Sequence, residues 1–222
     1  MSQLDAVEIE TGPSPVASMI VLHGLGADGH DFEPVVRSLS LAMPVRFVLP
    51  HAPVIPVTVN NGFRMRAWYD ITGRDGAGRE DEAGLRGSAA VVQALLAREE
   101  ERGVPAERIV LAGFSQGCAM SLLAGLRYPR RLAGIVGLSG YLPLAATTAA
   151  ERSAANAGVP IFLAHGRHDE IVSFERALAS RDLLQALEYP VRWHEYPIGH
   201  AVSPQEIADL QRWLLDTLAA PE

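Results

Sequence analysis

A chain of 222 residues, 48% hydrophobic and 20% charged, has the balance of an ordinary globular protein and length enough for a buried core, which excludes disordered, collagen-like and coiled-coil chains. Acidic residues outnumber basic ones, 26 to 19, and the net charge of -7 disfavours non-specific nucleic-acid binding, which runs on surplus positive charge. Every basic residue is Arg and none is Lys, so a Schiff base with pyridoxal phosphate or a Walker A loop is excluded too.

The apolar run 16–23 is predicted as a buried strand, followed by a glycine-rich segment, 24–29. Residues 31–41 have helical spacing and 45–49 form the next strand. The stretch 50–79 shows little regular pattern and reads as a long ordered loop of the kind used as a lid or binding loop. The Arg/Asp/Gly-rich segment 73–82 reads as a solvated turn. Helical spacing returns over 86–102. Residues 108–112 are a strand that runs into a helix over about 115–127. Strands follow at 132–138, 160–164 and 191–196, with a helix over 174–188. The last helix has the fullest signature. Ser203 and Glu206 are spaced as a capping box, Pro204 holds the first helical position, and Ile207, Leu210, Leu214 and Leu218 make one stripe. Continuous apolar strands separated by helices predict an α/β class: a mostly parallel sheet with helices on both faces, in one domain over 1–222. Such sheets put ligand sites at the carboxyl ends of their strands.

Two uncharged stretches, 109–126 and 132–150, have nearly the length of a membrane span. Both are broken by Gly, Ser, Thr, Gln or Pro and read as a strand followed by a loop or helix. The one cysteine, Cys118, allows no intrachain disulfide. The first arginine is Arg37, and Asp5, Glu8 and Glu10 sit where a secretory signal carries positive charge. A soluble, cytoplasmic protein without a membrane span is expected.

Residues Gly113-Phe114-Ser115-Gln116-Gly117 fit G-x-S-x-G between a strand and a helix, the setting a nucleophile elbow requires. Ser115 would take a strained conformation at the turn, with Gly113 and Gly117 letting strand and helix approach. The helix N-terminus then offers N–H groups to a developing oxyanion. One donor is expected from Gln116 and a second from Leu25, in the His23-Gly24-Leu25-Gly26 loop after the first strand. Gly24, Gly26 and Gly29 also satisfy G-x-G-x-x-G. The acidic residue a dinucleotide site needs about twenty positions on is missing, since that strand ends in Leu49, Pro50 and His51. A nucleotide site is therefore not expected.

The hydrolase chain order Ser, acid, His leaves four of the seven histidines as bases: His165, His168, His194 and His200. His200 lies in the loop after the last strand, and Asp169 just after strand 160–164. Both are at carboxyl edges, where an ionised Asp169 would fix the His200 tautomer. His194 sits inside a strand pattern and reads as structural. His165, His168 and Asp169 could alternatively ligate a metal, although the segment reads as a turn and not a helix face. Cys118 reads as a small buried apolar side chain.

Together, Leu22-His23-Gly24-Leu25-Gly26, Trp68-Tyr69-Asp70, Ala112-Gly113-Phe114-Ser115-Gln116-Gly117, His165-Gly166-x-x-Asp169 and Gly199-His200 resemble the acyl-protein thioesterase and phospholipase/carboxylesterase family of small α/β-hydrolases, over nearly the whole chain. The resemblance implies an α/β-hydrolase fold and hydrolysis of small-molecule esters or thioesters without a cofactor or metal. It also implies Ser115 as nucleophile, Asp169 as orienting acid, His200 as base and an oxyanion hole from Leu25 and Gln116. Members tend to dimerise, so a homodimer is an expectation. Two residues depart from the pattern: Cys118 stands where glycine is common, and Glu170 where proline often follows the acid. Neither removes a catalytic group. The expected activity is a serine carboxylesterase for short to medium acyl chains. An acyl-protein thioesterase or lysophospholipase is the alternative, and a non-catalytic binding protein on the same fold is the rival of another class. The pocket is expected to be mostly apolar, lined from 54–68 and 141–144, with Trp68 and Leu144 as substrate contacts; Trp68 reads equally well as a core aromatic.

Overall fold

Short apolar runs with little charge form strands buried on both faces. Five do so here: β2 (Ala17–Leu22), β3 (Val45–Pro50), β6 (Ile109–Phe114), β7 (Gly134–Leu138) and β8 (Ile161–Gly166). With β1 (Ala6–Glu10) and β9 (Val191–Tyr196) at the edges they make a seven-stranded sheet of order β1-β3-β2-β6-β7-β8-β9. Only the β1–β3 pair is antiparallel. The computed structural model describes residues 4–73 and 79–219.

Side chains alternate across each strand. Ile20, Leu22, Ile109, Leu111 and Ile161 pack with Leu85, Val92 and Leu96 of α2 (Glu82–Glu101), Met120 and Leu123 of α3 (Gln116–Leu126), and Leu184 of α5 (Phe174–Ala186). Met19, Val21, Val110, Ala112 and Phe162 pack with Val36 of α1 (Glu33–Ser38) and Leu210 and Leu214 of α6 (Pro204–Thr217). Helices therefore cover both faces. Among the described residues no helix is long and apolar enough to cross a membrane.

The chain leaves β2 for β3 on one side and later crosses to β6 on the other. The carboxyl ends of β2 and β6 lie level, with Leu22 opposite Gly113. The connections leave these two ends in opposite directions, which opens a crevice between them.

Four segments differ from expectation. Strand β1 went unpredicted because it is an edge strand: Val7 and Ile9 face the core, while Glu8 pairs with Arg98 and Arg102 and Glu10 with Arg46. The stretch 50–79 contains a hairpin, β4 (Val54–Val57) and β5 (Phe63–Arg66). Pro56 obscures it, but Asn61-Gly62 marks its turn, both at positive φ (56° and 75°). Helix α4 (Ala145–Glu151) has no side-chain cap to announce it. Of the turn expected over 73–82, residues 74–78 lie outside the described residues, and the acidic end is bonded. Glu80 accepts the Leu144 N–H, and Asp81 accepts the N–H groups of Asp70 and Gly84, starting α2 four residues earlier than the spacing predicts.

Helix α6 has the expected reciprocal cap. Ser203 Oγ accepts the Glu206 N–H, and Glu206 Oε2 accepts the Ser203 N–H. Glu206 is buried, and its Oε1 has no hydrogen-bond partner among the described residues. Burial pushes this carboxyl from 4.5 up to about 7. The unfolded chain thus releases the proton near 4.5 while the fold still holds it, and stability falls as pH rises between those values. Glu206→Gln keeps the cap acceptor and removes the ionisation. It should stabilise the protein by up to about 3 kcal/mol at pH 8 and by much less at pH 4. Urea denaturation at both pH values checks this; an equal effect at both would contradict it.

Candidate active site

One residue separates β6 from α3. Ser115 has φ 55° and ψ −117°, a conformation a side chain adopts only when its surroundings enforce it. Its N–H donates to Leu138 O (2.8 Å) at the end of β7. A Cβ on Gly113 would stand 2.0 Å from Gly117 O, and one on Gly117 2.0 Å from Leu22 O. Two glycines thus let α3 start directly against β6 and β2, and the hydroxyl sits in the crevice between those strands. Gln116 opens α3, where an N–H has no intrahelical acceptor.

The loops after β8 and β9 bring two partners to that hydroxyl. His200 Nε2 lies 2.9 Å from Ser115 Oγ, and His200 Nδ1 lies 2.7 Å from Asp169 Oδ2. Asp169 Oδ1 accepts the N–H groups of Ile171 (2.8 Å) and Val172 (2.9 Å), and its side chain has no exposed surface. An ionised carboxylate only accepts, so Nδ1 carries the imidazole proton and Nε2 is free to accept from the serine. The Arg167 N–H donates to Tyr196 O and the His168 N–H to Ile198 O, stitching the two loops together. His168 contributes to the loop through its backbone, and His194 stacks on Phe162 (4.9 Å).

The loop carrying Leu25 is fixed from below. His23 is buried, and its Nδ1–H donates to Gly24 O (2.7 Å) while Nε2 accepts the Ala52 N–H (3.0 Å). That pattern requires a neutral ring, and burial pushes its pKa down. Trp68 Nε1–H donates to His23 O (2.9 Å). Gln116 Oε1 accepts the Trp68 N–H (2.8 Å), and Gln116 Nε2–H donates to Tyr69 O (2.7 Å). The Gly26 N–H donates to Arg66 O of β5 (2.8 Å). Gly24 lies against Ser115, so the Leu25 loop and the start of α3 flank the same hydroxyl.

Beside Ser115 and His200 runs a groove of about 520 Å³ walled by Leu25, Phe32, Val35, Phe114, Ile171 and Val202. Trp68 and Leu144, expected as substrate contacts, are not among its walls. The indole is 2% exposed, drawn under the loop by the His23 carbonyl. Leu144 is 8% exposed and heads α4 at a positive φ of 47°, its N–H bonded to Glu80 and its side chain in the α2–α3 core. The walls come instead from 24–35, 114, 171 and 202. Sequence spacing missed Phe32, Val35, Ile171 and Val202 because they meet only through the sheet.

Residues 4–218 match the family model described as Phospholipase/Carboxylesterase. The chain belongs to this family of hydrolases. It is 40% identical to the acyl-protein thioesterase 1 of Neurospora crassa over 213 residues, 91% of this chain and 87% of that protein. To the acyl-protein thioesterase 1 of Yarrowia lipolytica it is 37% identical over 98% of this chain and 99% of that one. Among solved structures it resembles Zea mays acyl-protein thioesterase 2, with a TM-score of 0.85 and 29% identity over 97% of this chain and 100% of that one. Arabidopsis thaliana SOBER1 aligns with a TM-score of 0.86 and 28% identity over 91% and 99%. The α/β-hydrolase fold expected from the motifs is the one observed.

In this phospholipase/carboxylesterase-family chain the Cys118 thiol is buried, and burial pushes its pKa up to about 12, so it stays a neutral packing group. Trp68 carries a sharper consequence. Trp68→Phe keeps the ring and deletes the N–H that holds the Leu25 loop. Hydrolytic turnover should fall about tenfold, the scale of one buried hydrogen bond, with the melting temperature changed by only a few degrees. Unchanged kcat would show that the loop needs no such tether.

Proposed function

We propose that this chain hydrolyses acyl thioesters, and oxygen esters of the same acyl groups, through an acyl-enzyme on Ser115. One observation carries the reading: hydroxyl, imidazole and buried carboxylate stand in series at 2.9 and 2.7 Å beside an apolar groove. In this mechanism the groove takes the acyl chain, at about 0.8 kcal/mol for each methylene buried. Ser115 Oγ attacks the carbonyl carbon as His200 takes its proton, and Asp169 stabilises the imidazolium. The oxyanion is held by the N–H groups of Leu25 and Gln116. His200 then protonates the leaving thiol or alcohol and later deprotonates the water that clears the acyl group. No step calls for a cofactor. A single hydrolase domain in the cytoplasm, alone or as a homodimer, suffices for it.

The thioester is placed first because the relatives named above are acyl-protein thioesterases at 37% to 40% identity. A carboxylesterase for short to medium acyl chains, the expectation from residues alone, is the second reading; the shared relay serves it equally. A binding protein on the same fold has less support, since no relay member is replaced.

Ser115→Ala should lower turnover by at least about 10⁴-fold with unchanged thermal stability, and a fluorophosphonate probe should label Ser115 alone. Labelling elsewhere in active protein would overturn the nucleophile assignment. For matched acyl chains, kcat/KM should be higher for the thioester; the reverse order would restore the carboxylesterase reading. Turnover should also fall on acidification, because a protonated imidazole cannot accept from the serine.

A further inference from the structure

A second imidazole reaches the carboxylate that orients His200. His165, at the end of β8, is 1% exposed. Its Nε2 lies 2.9 Å from Val172 O and 3.3 Å from Asp169 Oδ2, the same oxygen that accepts from His200 Nδ1. Both neighbours of Nε2 are acceptors, so Nε2 must carry the hydrogen. Burial pushes this ring toward the neutral form, which leaves Nδ1 without a proton. Asp169 thus accepts the N–H groups of Ile171 and Val172 on Oδ1 and the His200 Nδ1–H on Oδ2, with His165 Nε2 3.3 Å from that same Oδ2.

We propose that His165 is a positioning residue for this site. Its Nε2–H, donated to Val172 O, fixes the turn that carries Asp169 and Ile171, and the partial positive charge of that N–H, with Nε2 3.3 Å from Asp169 Oδ2, limits how much of the carboxylate charge acts on His200. The inference rests on the serine relay proposed above. The groups around it are few. His165 faces Asp169 and His200, with the Phe174 ring 6.1 Å away. His200 faces Asp169, Ser115 and the Phe114 ring (4.8 Å), and Asp31 shares its groove. The geometry gives a sign. The partial positive charge of this N–H beside Oδ2 offsets part of the negative charge that would otherwise stabilise the His200 imidazolium. Without it the imidazolium form of His200 is favoured over the neutral ring.

The experiment compares His165→Leu, which removes the donor, with His165→Gln, which keeps an amide N–H of similar reach. In His165→Leu the acid limb of the kcat profile should move up by about 0.5 to 1 pH unit. Plateau kcat should fall about tenfold, with KM within about twofold. His165→Gln should return the limb toward the wild-type position. A limb that does not move in His165→Leu, whatever its melting temperature, overturns the proposal, as does failure of His165→Gln to restore it. Should His165→Leu not fold, ¹⁵N-histidine NMR of the native chain decides. His165 should be neutral with its proton on Nε2 at pH 7, and a proton on Nδ1 would refute the donor role. The same spectrum on Ser115→Ala protein is independent of turnover. If Ser115→Ala stays active, the serine reading fails while the His165 hydrogen bond stands or falls on its own signal.

Discussion

Everything at this site depends on one backbone conformation, Ser115 at φ 55° between a strand and a helix. Strain of that kind costs about 1–3 kcal/mol and persists only where neighbours leave no alternative. Here the neighbours are backbone. Gly117 lies against Leu22 O, Gly113 against Gly117 O, and the serine N–H is taken by Leu138 O. Three adjacent parallel strands, β2, β6 and β7, thus hold a single residue. The fold can impose this because those strands form the buried centre of the sheet, where shifting one would disturb cores on both faces.

The same sheet explains why the partners arrive together. Asp169 and His200 are 31 residues apart, and each lies 85 residues or fewer from Ser115. In chain terms these are unrelated loops. In the sheet they follow β8 and β9, which pair in parallel from Ile161 opposite Val191 to Gly166 opposite Tyr196, so both loops leave the same edge. Backbone hydrogen bonds from Arg167 and His168 to Tyr196 and Ile198 lock one loop to the other. The relay geometry is thus set mainly by strand register and backbone bonding.

This division explains what could be read in the sequence. Ser115, Asp169, His200, Leu25 and Gln116 are legible as candidates because strand-end chemistry leaves local signals: a glycine pair around a serine, an acid just past an apolar run, a histidine in the next such loop. The central strands and the capping box of α6 were found for the same reason. What failed depended on tertiary contact. Strand β1 needs its salt bridges to Arg46, Arg98 and Arg102 to make sense of alternating glutamates. The β4–β5 hairpin hid its Asn61-Gly62 turn behind Pro56. Trp68 and Leu144 were assigned to substrate because an apolar side chain near a site carries no mark of which way it packs.

Trp68 shows that packing inward can still serve the site. His23, Trp68 and Gln116 form a closed set of buried donors and acceptors between the Leu25 loop, the segment before α2 and the start of α3. A buried polar network is favourable only when its members are satisfied, and each contact here pairs a donor with an acceptor. His23 fits only as a neutral ring with its hydrogen on Nδ1, which burial favours. Asp169 is saturated in the same way on the other side of Ser115. Both the Leu25 loop and Asp169 are therefore held in place by the fold itself, and in the proposed mechanism the reorganisation that would otherwise accompany charge development at the carbonyl is already done. Rigidity on these two sides leaves the groove walls of Phe32, Val35 and Val202, which take no part in those hydrogen bonds, as the part of the site that, under the proposed function, is free to differ with the acyl group.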